Sequence, residues 1–221
     1  MDRRISEITM KMINYDKGDA ARIQHFMKVH NFSKVIGEME GLDPETQFIL
    51  EAAAVLHDIG IHKSEEKYNS CDGKYQEIEG PAEAEELLND IDGISENEIE
   101  RICYLIAHHH TYDNISGMDY QILVEADFLV NLFEEHAMFG KPEVVRDHIF
   151  KTETGKKILN NMFMEKYEKY SLTDSKEQRI DLHKNFRSRT QVLECANFIF
   201  RQIMGKDLGA VEYDADAALY P

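Results

Sequence analysis

Apolar residues recur along this chain at three- and four-residue intervals, and no segment alternates convincingly between apolar and polar positions. The first spacing lays a stripe along a helix and the second would line one face of a strand, so an all-α fold is predicted. Start and stop signals agree with that reading. Ile5, Ile8, Met12 and Ile13 give a short amphipathic helix ending near Lys17-Gly18. Asp19 reads as the N-cap of a longer helix reaching about Glu40, where Gly41 stops it. Asp43-Pro44 opens the next helix, with proline in the first turn, and that helix runs to His57-Asp58. Residues 61–79 are polar and hold the turn formers Asn69, Asp72 and Gly73, so they are predicted to be a loop. Further helices are predicted at about 81–90, 95–110, 119–139, 142–149, 153–170 and 173–204, with 206–221 as a loosely docked tail.

Composition narrows the class. At 221 residues the chain can bury a real core, and 43% hydrophobic residues exclude a disordered one. Four prolines and no tryptophan, among abundant Glu, Lys, Leu, Ile and Met, also favour helices. Cys71, Cys103 and Cys195 are widely spaced and odd in number, which fits reduced thiols in a cytoplasm rather than a disulfide framework. No run approaches the roughly twenty apolar residues of a membrane span, and Met1-Asp2-Arg3-Arg4 leads into no apolar signal core, so a cytoplasmic protein with no membrane partner is expected. The formal charge of −17, from 42 acidic and 25 basic residues, repels polyanions and argues against a nucleic-acid polymer as partner. A small phosphorylated substrate is compatible with it if a cation or nearby Lys and Arg invert the field locally.

Chemistry concentrates at His57-Asp58, which ends the apolar run Ala52-Ala53-Ala54-Val55-Leu56 and precedes Ile59-Gly60. A neutral imidazole beside a carboxylate suits a divalent transition metal, and also proton transfer. The dipeptide alone is common. It gains weight from His25, on one stripe with Val29, Phe32 and Ile36, and from Asp127, set in Leu123-Val124-Glu125-Ala126-Asp127-Phe128-Leu129-Val130. An ionised carboxylate left unpaired in such a run would cost several kcal/mol, and a cation beneath it resolves the problem. The alternative is that all four are hydrogen-bonded core polar groups.

Taken together, Arg22-Ile23-Gln24-His25, Val29, Glu38-Met39-Glu40-Gly41-Leu42, Ala53-Ala54-Val55-Leu56-His57-Asp58-Ile59-Gly60 and Glu125-Ala126-Asp127 resemble the HD-domain superfamily. The resemblance covers about residues 19–135 of a single domain placed at 1–205, whose C-terminal helices (142–204) form a helical extension. It implies an all-helical bundle, a metal-dependent phosphohydrolase activity, and one divalent metal held by His25, His57, Asp58 and Asp127. Two His and two carboxylates suit Mn, Fe, Co, Ni or Zn, with Mg less favoured by the nitrogen donors. Many two-metal members carry a further His after the His-Asp turn; the matching stretch here is Glu79-Gly80-Pro81-Ala82-Glu83-Ala84, and proline cannot ligate. A mononuclear site is therefore expected.

His108-His109-His110 closes a helix whose apolar positions are Ile99, Ile102, Cys103, Leu105 and Ile106. His109 falls at i+3 from Ile106 and i+7 from Ile102, so it should face inward, while His108 should be exposed. A substrate-phosphate or general-acid role falls to His109, with His110 as substitute; the alternative is a solvated cluster suiting a helix C-terminus. His62 and Lys63 follow the motif and are candidate substrate contacts, although a solvated loop lysine is the commoner case. Arg187 and Arg189 read as surface residues. Met138, Phe139, Met162 and Phe163 could serve a homodimer contact, with core packing the commoner use. The expected activity is hydrolysis of a phosphate ester of a small metabolite or nucleotide, with Asp58 orienting or deprotonating the water. The alternatives are a phosphodiesterase or pyrophosphohydrolase on a signalling nucleotide, and a metal-bound sensor domain without turnover.

Overall fold

A computed structural model describes residues 2–134 and 142–164, all within the first of two units into which the chain divides, Met1–Lys166. The regular elements of the described residues are all helices, with no strand among them. The order is α1 (Arg3–Tyr15), α2 (Ala20–Glu40), α3 (Pro44–Leu56), α4 (Ile61–Tyr68), α5 (Gly73–Asn89), α6 (Glu96–Ile106), α7 (Met118–Glu134), α8 (Pro142–Ile149) and α9 (Glu153–Leu159). A π-type turn, Asn160–Met164, continues α9. The helices expected beyond residue 164, Arg187, Arg189, Cys195, Met138, Phe139 and the tail lie outside the described residues.

Caps set the boundaries. Asp2, Asp19 and Asp43 each accept a backbone N–H of the helix that follows, and Gly41 ends α2 with φ of 78°. Ser95 and Glu98 form a reciprocal capping box that starts α6. α3 lies at the centre, packed on α1, α2, α6 and α7, and every residue from Phe48 to Leu56 is buried. Its alanines Ala52, Ala53 and Ala54 are fully inaccessible, and side chains that small let neighbouring helices approach closely. α7 is buried almost throughout from Asp119 to Val130, which places Asp127 in the interior. The stripe of α2 is apolar core at Val29 and Ile36, and each fully buried aliphatic chain there contributes about 1.5–3 kcal/mol.

The stretch 61–79 departs from the expected loop. α4 occupies Ile61–Tyr68, and α5 begins at Gly73, eight residues before the predicted helix start. The turn formers are confined to the break: Asn69 ends α4 in the left-handed region at φ 51°, and Asp72 caps α5 through the Lys74 N–H. α4 buries only Ser64, so it carries no hydrophobic period to announce it. What holds it is contact with α5, where a Cβ on Gly60 would come within 2.6 Å of the Gln76 carbonyl and 2.8 Å of the Gly80 nitrogen. Pro81 sits inside α5 rather than at its start. Its carbonyl accepts the thiol of Cys103 at 3.4 Å, joining α5 to α6.

Candidate metal centre

Four elements deliver side chains to one point. His25 comes from the second turn of α2, His57 and Asp58 from the turn that leaves α3, His109 and His110 from the turn that leaves α6, and Asp127 from α7. Turns allow what a mid-helix cannot: His57 and Asp58 are neighbours in sequence, yet both face His25. His25 Nε2 lies 3.3 Å from His57 Nε2, 3.6 Å from Asp58 Oδ2 and 3.2 Å from Asp127 Oδ1. His57 Nε2 lies 3.4 Å from Asp58 Oδ2 and 3.6 Å from Asp127 Oδ1. The other oxygen of Asp58 points to His109, with Oδ1 3.5 Å from Nε2. His57 and His109 meet edge-on, their ring centroids 5.3 Å apart.

The far side of each ring is tied. His57 Nδ1–H donates to the Ala54 carbonyl at 3.0 Å, and His109 Nδ1–H to the Ile106 carbonyl at 2.8 Å. His25 Nδ1–H donates to Glu134 Oε2 at 2.8 Å. With Nδ1 carrying the proton, a neutral ring presents a lone pair at Nε2. His25 and His57 thus aim two lone pairs at each other across 3.3 Å, which is repulsive unless a proton or a cation lies between them. His109 Nε2 is buried and has no hydrogen-bond partner among the described residues. This donor set fits a divalent cation. Two overlapping groups of donors are close enough to hold one: His25, His57 and Asp58, with Asp127 alongside, and Asp58, His109 and His110. The second group does not call on position 81.

Protonation without a cation follows from the same pairing. Burial pushes the Asp58 and Asp127 carboxyls up, but the surrounding imidazoles outweigh it and hold both below the usual carboxylate range. Burial likewise pulls His25 and His57 down, and the two aspartates reverse that, so both end raised. His110 differs. Burial, then the neighbouring His109, lower it to about 4, and its Nε2 is also buried with no hydrogen-bond partner among the described residues. A Cβ on Gly73 would approach the His110 ring to 2.5 Å, so the start of α5 closes over it.

His62 and Lys63 have other partners. His62 Nε2–H donates to Asp16 Oδ1 at 2.8 Å, while its Nδ1 accepts from Arg22 Nη1 at 3.3 Å. Lys63 Nζ lies 3.7 Å from Glu66 and 3.9 Å from Glu83. His108, expected to be exposed, is half-buried, with Nδ1–H donating to the Tyr104 carbonyl and its ring stacked on Tyr104. Glu134 and the Arg22–His62–Asp16 chain carry no clear sequence signal. Only the seven-residue spacing from Asp127 to Glu134, two turns along one helix face, could have pointed to the first.

The family model for the HD domain matches residues 22–180, well over half of the chain. The chain belongs to the HD-domain family. HD domains bind divalent metal ions, and the His/Asp groups above are close enough together that they could hold one. Curated relatives share shorter stretches with this HD protein. The A subunit of the ATP-dependent helicase/nuclease of Lachnoclostridium phytofermentans is 52% identical over 60 residues, 27% of this chain and 4% of that protein. The protein of the same name from Bacillus licheniformis is 34% identical over 120 residues, 51% of this chain and 9% of that protein. The chain thus spans less than a tenth of the length of these relatives. No solved structure matches it. No helix of the described residues is long and apolar enough to cross a membrane.

Proposed function

We propose that this HD protein is a phosphohydrolase that cleaves a phosphate ester of a small metabolite or nucleotide. One observation carries the reading: the Nε2 atoms of His25, His57 and His109 and the carboxylates of Asp58 and Asp127 converge, with each ring's Nδ1 already engaged. His25, His57, Asp58 and Asp127 would hold the metal, with Mn, Fe, Co, Ni or Zn suited to the donors. What a bound divalent cation supplies is Lewis acidity toward a water and a phosphoryl oxygen.

The chain's own groups divide the remaining work. Asp58 turns Oδ2 to the His25–His57 pair and Oδ1 toward His109, so Oδ1 is the acceptor for the proton of the attacking water. His109 Nε2 stands across from it; once it carries a second proton, the imidazolium donates to a phosphoryl or leaving oxygen while Nδ1–H stays on the Ile106 carbonyl, and His110 Nε2 lines the same space. Burial of His57, His109 and Asp127 keeps bulk water from screening these contacts. The net charge of −17 supports a small substrate over a nucleic-acid polymer. The group Asp58, His109 and His110 favours a second reading, a phosphodiesterase or pyrophosphohydrolase with two metals.

Metal content of the purified protein, measured beside a panel of phosphate mono- and diesters, tests both. The monoesterase reading expects one transition metal per chain and monoester turnover lost in Asp58→Ala. Two metals per chain with preference for diesters would support the second reading. Bound metal with no turnover of any ester would make the chain a metal-bound sensor domain and overturn both.

A further inference from the structure

The rings of His57 and His109 are oriented by the helix ends that carry them. Each donates Nδ1–H to the carbonyl three residues earlier, an acceptor that a helix terminus leaves available. His25 has no such option. It lies in the second turn of α2, inside the helix, where the carbonyl one turn back is engaged in the helix ladder. Its Nδ1 partner must come from another element, and the structure supplies Glu134.

Glu134 is the last residue of α7 and stands seven positions after Asp127, on the same helix face. One helix therefore holds both nitrogens of His25: Asp127 Oδ1 lies 3.2 Å from Nε2 and Glu134 Oε2 lies 2.8 Å from Nδ1. The carboxylate is itself fixed. Lys28, one turn after His25 on α2, donates to Glu134 Oε1 at 2.5 Å. The result is a closed loop, α2 to α7 and back, through His25, Glu134 and Lys28. Free to rotate, the His25 side chain could turn Nε2 away from His57 or place its proton on Nε2, and either change removes a donor from the cluster.

We propose that Glu134 is a positioning residue for metal binding: it fixes the ring and tautomer of His25 so that Nε2 faces His57 and Asp127, with Lys28 holding the carboxylate in place. The proposal rests on His25 being a metal ligand, as the proposed function has it. Glu134 is partly exposed, with 29% of its side chain accessible, so its replacement leaves the core untouched. A carboxylate behind a ligating histidine affects metal affinity by about 10- to 100-fold.

The test is competition of Zn2+ or Co2+ between the protein and a chromophoric chelator, for wild type, His25→Ala, Glu134→Ala and Glu134→Gln. Glu134→Ala should weaken binding by about 10- to 100-fold at unchanged helical content. Glu134→Gln, whose amide oxygen can still accept from Nδ1–H, should recover much of that loss. In the zinc-loaded protein, nitrogen-15 spectra should show His25 ligated through Nε2 with a slowly exchanging Nδ1 proton, and Glu134→Ala should abolish its protection. If His25→Ala loses metal while Glu134→Ala binds within about threefold of wild type, the positioning role is refuted and the ligand set stands; about tenfold is the least that such a partner supplies. If His25→Ala binds metal as wild type does, the ligand set itself fails, and the proposal with it.

Discussion

Replacing Glu51 by Gln tests how the two helices that bear His25 and His57 are held together. Glu51 is nearly inaccessible in α3 and accepts from three side chains: His30 Nε2 at 3.0 Å, Lys34 Nζ at 3.0 and 3.3 Å to its two oxygens, and Gln47 Nε2 at 2.9 Å. His30 and Lys34 belong to α2, so the carboxylate clamps α2 onto α3. Burial raises its pKa, but the bonds from His30, Gln47 and Lys34 outweigh burial and bring it from 4.5 down to about 2. That difference, at 1.36 kcal/mol per pH unit, is roughly 3 kcal/mol of stability. The folded value is the lower one, so the contribution is complete above the unfolded value and is lost as pH falls toward about 2. Urea unfolding followed by circular dichroism should find Glu51→Gln less stable by about 3 kcal/mol at pH 7 and by about half that at pH 3. A difference that stays constant from pH 7 to pH 3 would refute the reasoning, because the effect would then not depend on the charge. Because the clamp also sets His25 against His57, the variant should bind metal more weakly than wild type at pH 7.

Three further outcomes follow from the same contacts. Tyr120→Phe removes the hydroxyl that donates to the carbonyls of His108 and Thr111, and should cost about 1–3 kcal/mol while leaving the turn of His109 more open to hydrogen exchange; unchanged exchange there would contradict it. Gly73→Ala drives a Cβ to 2.5 Å from the His110 ring, so α5 or the ring must shift, at a cost of about 1–3 kcal/mol by thermal unfolding; a neutral result would mean the start of α5 yields freely. Metal at one hundred times its dissociation constant should stabilise the fold by about 2.7 kcal/mol and chelation should reverse it, whereas Asp127→Asn should show a smaller metal-dependent shift.

Much of the candidate centre is legible in the amino-acid sequence, because its signals are local. His25 falls on the stripe of α2, Asp127 interrupts an apolar run, and His57-Asp58 ends a helix that opens at Asp43-Pro44. The same local signals mislead at 61–79. A short polar helix such as α4 buries one serine and takes its stability from α5, so its composition reads as loop. Pro81 reads as a helix start, yet α5 passes through it because packing on α4 and α6 outweighs one missing N–H. His109 follows from its register with Ile102 and Ile106, but nothing local shows its Nε2 buried 3.5 Å from Asp58 Oδ1.

Residue order alone is enough for the helical class, the caps that bound α2 and α3, and the residue types able to hold a divalent cation. Those depend on interactions within a few residues, where spacing maps directly onto geometry. Packing of the helices settles the rest: which nitrogen of each ring faces inward, that Asp58 serves two groups of donors, and that Glu134 stands behind His25. These depend on pairs as far apart as His25 and Glu134, 109 residues along the chain, whose meeting is set by how α2 and α7 pack and by no pattern in either segment alone.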